Sequence, residues 1–179
     1  MTGPGTGAGS GPAVVLVGPP GAGKTTVGRA LADRLGTGYR DTDADIVTAE
    51  GREISDIFVE DGEEHFRALE RAAVTAGLTG HTGVLSLGGG AIMDAGTRAQ
   101  LAGLPVVFLD VSLADAIRRV GLDAPRPLLA VNPRARWREL MEQRRPLYTE
   151  VARALVSTDG RTPEDVADEI LHVLELTKA

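Results

Sequence analysis

The sequence contains no cysteine, only two lysines, and aromatic residues at just 3% of its 179 positions. Without cysteine, neither disulfides nor thiolate-ligated metal sites can form. So few aromatic side chains do not make a platform for stacking nucleic-acid bases. The net charge of −6 also opposes non-specific binding to phosphate backbones, so we expect no nucleic-acid partner.

Long hydrophobic runs are missing as well. No apolar run is long enough to span a membrane, and no basic-then-apolar segment typical of a signal peptide opens the chain. We therefore expect a cytoplasmic protein without a membrane partner. Residues 2–12 are almost all Gly, Ser, Thr, Pro and Ala, which predicts a flexible tail over residues 1–12. Residues 13–179 are then of ordinary size for a single domain.

The scarcity of lysine makes one of the two lysines informative. Lys178 is next to the C-terminus, whereas Lys24 lies inside the run Gly18–Thr25, GPPGAGKT, in a body that otherwise uses arginine. This run fits the phosphate-binding pattern G-x-x-x-x-G-K-[ST]. It follows a β-branched apolar run at residues 13–17 and precedes a helical pattern over residues 26–35. Strand, glycine loop and helix in this order predict a P-loop.

Each residue type in this loop has a physical reason. Glycines let the backbone curl so that successive N–H groups point at an anion, and the helix N-terminus adds partial positive charge. Lys24 supplies a compact charge for the outer phosphates, and the Thr25 hydroxyl can ligate Mg²⁺. The alternative is a glycine-rich turn that binds nothing. The full eight-residue match with both flanks disfavours that alternative.

Strand-like runs alternate with helical patterns along the whole chain. The predicted strands are residues 13–17, 38–40, 84–87, 105–111 and 154–156. The predicted helices are residues 26–35, 44–78 with breaks near Gly51 and Gly62, 94–101, 112–120, 135–152 and a last helix capped by Thr162. Residues 121–133 carry three prolines and are predicted to form a loop. This alternation predicts a parallel sheet with helices on both faces, whose ligands bind beyond the carboxyl ends of the strands.

Two motifs follow predicted strands and so belong at that edge. Asp41-Thr42-Asp43 ends one strand, and residues two apart in extended chain point to the same side. Both carboxylates are therefore expected to face the P-loop, one holding Mg²⁺ through water and the other binding a substrate hydroxyl. An acidic turn that caps a helix is the alternative. Gly88-Gly89-Gly90 ends another strand. Three glycines lose much conformational entropy on folding, so we interpret them as allowing the backbone to approach a ligand closely and not as a merely flexible turn.

Arginine is the natural anion-binding residue of this chain. From Arg118 to Arg153 there are nine arginines against four acidic residues, which suggests an anionic ligand, although solvated helix faces explain some of them. The planar fork of arginine suits carboxylate and phosphate groups. Arg126 lies in the proline-rich loop, from which it can close over phosphates. The three histidines are scattered and share no metal-ligand spacing.

Taken together, the motifs resemble those of the shikimate kinase family over about residues 13–177. Their joint order is specific, whereas each motif alone is not. The motifs are Gly18–Thr25, Asp41-Thr42-Asp43, Ile57-Phe58, Gly62-Glu63, Phe66-Arg67-x-x-Glu70, Leu87–Gly90, Arg126–Leu129 and Arg144-x-Pro146-Leu147-Tyr148. The resemblance implies a three-layer α/β P-loop kinase fold of the nucleoside-monophosphate-kinase type. Such a fold has a five-stranded parallel sheet, a helical substrate-binding segment at about residues 42–70 and a mobile lid at about residues 121–133.

The resemblance also implies a reaction, the ATP-dependent phosphorylation of the shikimate 3-hydroxyl in chorismate and aromatic amino acid biosynthesis. Asp43 would orient the attacking hydroxyl. Arg67 and Arg144 would bind the substrate carboxylate, while Gly89 and Gly90 would contact its hydroxyls through their backbone. Phe58 and Phe66 would line the substrate pocket, again by resemblance.

On the nucleotide side the resemblance assigns Lys24 and Arg126 to the phosphates and to catalysis. Thr25 would ligate Mg²⁺, with Asp41 acting through water, and Thr25 stands where serine is common in relatives. Arg119 and the stretch from Arg161 would border adenine. The full ATP-binding set would be Gly21, Ala22, Gly23, Lys24, Thr25, Thr26, Arg119, Arg126 and Arg161.

Some choices stay open at this point. Arg144 and Arg145 are adjacent, so the carboxylate clamp is ambiguous by one position, and the spacing to Pro146-Leu147-Tyr148 favours Arg144. Another P-loop kinase of small molecules, such as a gluconate kinase or a nucleotide kinase, would use similar arginine and aspartate chemistry. A nucleotide-dependent binding module without kinase activity is the alternative from a different class. We expect a monomer whose partners are ATP, Mg²⁺ and shikimate.

Overall fold

A computed structural model of the chain describes residues 11–122 and 132–178, without the side chains of residues 120–122. Five parallel strands form one sheet in the order β2-β3-β1-β4-β5. The strands are β1 (Val14–Val17), β2 (Tyr39–Asp41), β3 (Val84–Ser86), β4 (Val106–Asp110) and β5 (Ala154–Ser157). This arrangement confirms the predicted parallel α/β fold.

Eight helices within the described residues connect and cover these strands. They are α1 (Lys24–Leu35), α2 (Thr42–Glu50), α3 (Ile54–Asp61), α4 (Glu63–Gly80), α5 (Ala95–Leu101), α6 (Leu113–Leu122), α7 (Pro133–Val151) and α8 (Pro163–Val173), with a 3₁₀ turn at Ala91–Met93. None of these described helices is both long and apolar enough to cross a bilayer.

The sheet is buried around its middle strand. β1 lies between β3 and β4, and all of its residues are buried. Val14 pairs with Val84 on one side, and Val15 pairs with Val106 on the other. A strand covered on both faces and both edges needs apolar side chains throughout, which explains the uninterrupted run at residues 14–17.

A second, smaller apolar cluster lies apart from the main core. Ile46 of α2, Ile57 of α3 and Phe66 of α4 form it, and the rings of Phe58 and Phe66 lie 4.8 Å apart. These three helices thus hold together through their own packing beside the sheet. Phe58 and Phe66 contribute to this packing and are not among the residues that line the cavity described below.

Several predicted boundaries differ from the structure by one or a few residues. Helix α1 begins at Lys24 instead of residue 26, so Lys24 and Thr25 belong to its first turn. Residues 121 and 122 are the end of α6, and Pro133 is the first residue of α7, where its fixed φ and missing N–H suit a helix start. At the N-terminus, residues 1–10 lie outside the described range, and Pro12 is buried.

Candidate active site

The carboxyl ends of β1, β2 and β3 meet at one edge of the sheet, and a cavity of about 440 Å³ opens there. It is lined by Pro20, Gly21, Gly23, Lys24, Thr25, Thr26, Asp41, Asp43, Leu87, Gly88, Gly89 and Arg119. The P-loop, the aspartate motif and the glycine motif therefore share one cavity, as the strand order of an open parallel sheet predicts.

The P-loop has the backbone shape of an anion site. Gly23 immediately precedes α1 with a φ of 88°, a left-handed conformation in which a side chain would be strained. The N–H groups of the first turn of α1 have no partner within the helix and can donate to phosphate oxygens. The Nζ atom of Lys24 donates to the carbonyls of Gly18 at 2.8 Å and Pro19 at 3.2 Å, which holds the ammonium across the loop.

The aspartate motif reaches the cavity by a different geometry from the one predicted. Strand β2 ends at Asp41, and Asp43 lies in the first turn of α2, so the expectation of two carboxylates on one extended strand is wrong. The cause is Asp41 itself, whose Oδ1 accepts hydrogen bonds from the N–H groups of Asp43 at 2.8 Å and Ala44 at 3.3 Å. Asp41 thus caps the helix, as the alternative interpretation proposed, and it lines the cavity as well.

The three consecutive glycines are each approached by a different charged side chain. A Cβ built on Gly88 would lie 2.5 Å from Oδ1 of Asp43, and one on Gly90 would lie 2.6 Å from Nη1 of Arg67. A Cβ on Gly89 would lie 3.4 Å from Nη1 of Arg144. Any residue larger than glycine at positions 88 or 90 would displace these groups. The loop therefore gathers one carboxylate and two guanidinium groups around a bare stretch of backbone.

Arg67 and Arg144, the two arginines that approach this loop, lie near the buried carboxylate of Glu70. Glu70, 4% exposed, accepts a hydrogen bond from Nη1 of Arg67 at 2.8 Å. Burial raises the pKa of Glu70, while the positive charges of Arg67 and Arg144 act against that rise. Arg144 is itself only 5% exposed, and its Nε makes no hydrogen bond with the described residues. A guanidinium buried with an unused donor is well suited to bind an anionic ligand.

Arg145 lies outside this arrangement. Its guanidinium makes hydrogen bonds of 2.9 Å and 3.2 Å to the carboxylate of Asp110 and lies 5.6 Å from the centre of the Phe108 ring. Successive helix residues point about 100° apart, so only one of two adjacent arginines can face the glycine loop. In the structure that residue is Arg144.

We expect Arg144→Ala to weaken binding of an anionic acceptor substrate by roughly ten- to a hundredfold and to leave ATP affinity almost unchanged. The reason is that a hydrogen bond to a charged group is worth about 1.5–3 kcal/mol. Arg145→Ala is the matched control from the next position of α7, and it should leave both affinities unchanged. Calorimetry with each ligand measures the difference. A silent Arg144 variant beside an impaired Arg145 variant would reverse the assignment.

A second, smaller cavity of about 160 Å³ lies beside the P-loop, between α1, α6 and the start of α8. Arg119 and Arg161 both line it, together with Gly23 and Thr26. Nη1 of Arg119 also donates to the carbonyl of Gly21 at 3.0 Å, so this side chain braces the P-loop. The two arginines predicted to border the base are therefore brought together next to the phosphate site. Arg126 lies outside the described residues.

The residues present fit a magnesium ion held mainly by phosphate oxygens and water. The described residues contain no group of three His, Cys, Asp or Glu side chains that could hold a metal by themselves. The cavity instead offers the hydroxyl of Thr25 and the carboxylates of Asp41 and Asp43. A hydroxyl, one or two carboxylates and nucleotide phosphates are the donor set that Mg²⁺ usually takes in nucleotide sites.

Two residues of the site have no predicted role. Thr42 and Tyr148 contact the glycine loop through their hydroxyls, Thr42 at Gly88 and Tyr148 at Gly89. These partners are 46 and 59 positions apart in the chain. Nothing in a local pattern marks such pairs, although both residues belong to the motifs that carry the family resemblance.

Comparison with known proteins agrees with the geometry. The sequence model of the shikimate kinase family matches residues 20–175. A shikimate kinase of Streptomyces avermitilis is 65% identical over 94% of this chain and 98% of its own length, and one of Streptomyces coelicolor is 62% identical over 95% and 99%. Among solved structures, the shikimate kinase of Acinetobacter baumannii in complex with shikimate is similar with a TM-score of 0.88. It shares 38% identity and 94% coverage of both chains.

Proposed function

This chain belongs to the shikimate kinase family, and we propose that it transfers the γ-phosphoryl group of ATP to the 3-hydroxyl of shikimate. The observation that carries the proposal is the convergence of Asp43, Arg67 and Arg144 on the glycine loop that borders the P-loop cavity. A carboxylate for a hydroxyl and two guanidinium groups for a carboxylate are the pair of contacts that a carboxylated polyol needs. Residues 42–70, which form α2, α3 and the N-terminal part of α4, are assigned to the substrate-binding segment.

Phosphoryl transfer demands positioning and charge stabilisation more than covalent chemistry. The P-loop amides and the Lys24 ammonium receive the phosphate oxygens and stabilise the negative charge that develops as the bond to the γ-phosphorus breaks. Thr25 and, through water, Asp41 would hold Mg²⁺, whose charge would offset the negative charge of the nucleotide phosphates. Arg126 is assigned to the same phosphates and to catalysis.

Asp43 acts on the acceptor side of the transfer. Its carboxylate accepts a hydrogen bond from the attacking hydroxyl and orients the oxygen towards the γ-phosphorus. As the new O–P bond forms, the hydroxyl proton passes to the carboxylate, and ADP leaves with the electron pair of the broken O–P bond. The position of Asp43 in the first turn of α2 places it against Gly88, at the border between the P-loop and the glycine loop.

Arg67 and Arg144 bind the shikimate carboxylate from two different helices, α4 and α7. The backbone of Gly89 and Gly90 lies between them and contacts the hydroxyl groups. One substrate molecule therefore contacts both the substrate-binding segment, through α4, and helix α7. Arg119 and Arg161 border the adenine in the smaller cavity.

The decisive experiment measures ADP formation by the purified protein with ATP, Mg²⁺ and shikimate. We expect multiple turnovers that depend on shikimate. Gluconate and nucleoside monophosphates, tested in parallel, should give little or no ADP, because neither combines a ring carboxylate with hydroxyls at the required spacing. Turnover with one of them and not with shikimate would favour the other small-molecule kinases. Tight ATP binding without turnover on any acceptor would favour a binding module.

Two further assignments concern the whole molecule. We propose a cytoplasmic monomer, an assignment supported by the absence of membrane-length apolar runs in the sequence and by the size of the domain. Sedimentation of the purified protein tests the monomer, because a dimer would double the mass from 18.7 kDa.

A further inference from the structure

The glycine loop has no side chains of its own, and the 3₁₀ turn that follows it fixes the carbonyls of Gly88 and Gly90, so other elements must orient the remaining peptide groups. Two buried hydroxyls do this. Oγ1 of Thr42 accepts a hydrogen bond from the Gly88 N–H at 3.1 Å, and the hydroxyl of Tyr148 donates to the Gly89 carbonyl at 2.6 Å. Thr42 and Tyr148 are both 0% exposed. These contacts hold peptide groups at the first two glycines of the loop, and both side chains that make them are buried.

The contact of Tyr148 acts on the peptide group that joins Gly89 to Gly90. In a trans peptide the C=O and the N–H point in opposite directions, so fixing the Gly89 carbonyl also fixes the direction of the Gly90 N–H. A hydrogen bond to the carbonyl also polarises the peptide and makes its N–H a stronger donor. The N–H groups of Gly89 and Gly90 make no hydrogen bond to other described residues, so both remain available to a ligand.

Burial makes the tyrosine a permanent donor. It raises the pKa of Tyr148 to about 12, so the hydroxyl keeps its proton throughout the neutral range. The ring stacks on Phe108 with the centroids 5.0 Å apart, which fixes the hydroxyl in place. Removal of the hydroxyl alone would therefore leave the ring packed, release the peptide and remove the hydroxyl's contact with Arg144, which is itself assigned to the acceptor.

Each hydroxyl is also tied to a residue already assigned to the substrate. Thr42 directly precedes Asp43 in α2, and Tyr148 lies one helical turn beyond Arg144 in α7. The two hydrogen bonds therefore set the distance from the glycine loop to the carboxylate on one side and to the guanidinium on the other. The close approaches of Asp43 to Gly88 and of Arg144 to Gly89 agree with this.

We infer that Tyr148 and Thr42 are positioning residues for the acceptor substrate, which hold the glycine loop so that its Gly90 N–H donates to shikimate between Asp43 and Arg144. The inference rests on the proposed function. It predicts a selective defect, because the peptides that the two hydroxyls hold belong to the glycine loop, which is assigned to the acceptor, and neither hydroxyl lines the smaller cavity assigned to adenine. A residue that only stabilised the fold would affect both substrates or neither.

The first test replaces Tyr148 with phenylalanine, which keeps the ring. We expect the Kd for shikimate to rise about tenfold, because one hydrogen-bonded donor group is no longer oriented, and the Kd for ATP to stay within about twofold. Thr149→Val is the matched control. It removes a hydroxyl from the next position of α7, where the partner is the carbonyl of Arg145, and should leave both constants unchanged. Equal losses for both substrates, or no loss for shikimate, would overturn the inference.

The second test uses conservative rescue at position 42. Thr42→Ser keeps the hydroxyl and should retain shikimate binding, whereas Thr42→Val keeps the shape without the acceptor and should lose about tenfold. Equal behaviour of the two variants would contradict a role for the hydroxyl.

A third readout needs no variant. In the wild-type protein labelled with ¹⁵N-glycine, shikimate should shift the Gly90 amide resonance, and an unshifted Gly90 amide in a protein that binds shikimate overturns the inference even if a variant fails to fold. Failure of the wild-type protein to bind shikimate would instead refute the proposed function.

Discussion

Replacing Lys24 with methionine is expected to reduce kcat by roughly a hundred- to a thousandfold while the protein stays folded. The ammonium lies at the P-loop, where Nζ donates to the carbonyls of Gly18 and Pro19. With ATP bound, it contributes its charge where the negative charge of the moving phosphoryl group develops. Removal of a single preorganised group of this kind typically costs about 3–4 kcal/mol of barrier.

The chain offers a matched control for this change, because its only other lysine is Lys178. Lys178 lies 3.1 Å from Asp168, which also binds Arg34 at 2.6 Å. Lys178→Met should therefore leave kcat unchanged and have little effect on stability, because an exposed ion pair contributes little. Steady-state kinetics together with thermal unfolding compare the two variants. Near-normal kcat in a folded Lys24→Met protein would refute the P-loop assignment.

The P-loop was predictable because its whole signal is local. Eight consecutive residues, a strand before them and a helix after them describe the backbone, the charge and the hydroxyl together. The parallel sheet was predictable for a similar reason, since the apolar runs at residues 14–17 and 106–109 indicate buried strands. What remained uncertain was the exact end of each element, as at the start of α1, because a cap depends on single side-chain contacts.

For the aspartate motif, the sequence predicted the correct location but an incorrect backbone geometry. Both carboxylates do line the cavity, yet Asp43 does so from a helix. Alternation along a strand assumes that the strand continues, whereas the carboxylate of Asp41 captures two backbone N–H groups and begins α2 at Thr42. Local competition between a strand and a capped helix is decided by the side chain that can satisfy the free N–H groups.

The arginines and the two hydroxyls mark the limit of sequence reasoning. Arg144 and Arg145 have the same chemistry, and in the sequence only the motif spacing favours Arg144. The packing of α7 turns Arg144 towards Gly89, while Arg145 pairs with Asp110. The contact of Tyr148 with Gly89 joins residues 59 positions apart. Such pairs follow from the order of strands in the sheet, which no single segment specifies.

The second large effect is expected from Asp43→Asn, which should lower kcat by roughly a hundred- to ten-thousandfold while ATP binding persists. The amide has nearly the same shape and can still accept a hydrogen bond from a hydroxyl. It cannot take up the proton as the O–P bond forms, and it lacks the charge that orients the hydroxyl as a donor. Shikimate binding should change far less than kcat, since Arg67 and Arg144 still hold the carboxylate.

Asp45→Asn separates this effect from a general loss of charge in α2. Asp45 lies in the same first helical turn and pairs with Arg40 at 2.6 Å, away from the residues that line the cavity. Both variants remove one negative charge from the N-terminus of the same helix, so any change through the helix dipole should be common to both. Only Asp43→Asn should lose turnover. If ATP binding to Asp43→Asn falls as far as kcat does, then Asp43 belongs to the nucleotide and metal side, and the hydroxyl of the acceptor must be oriented by another group.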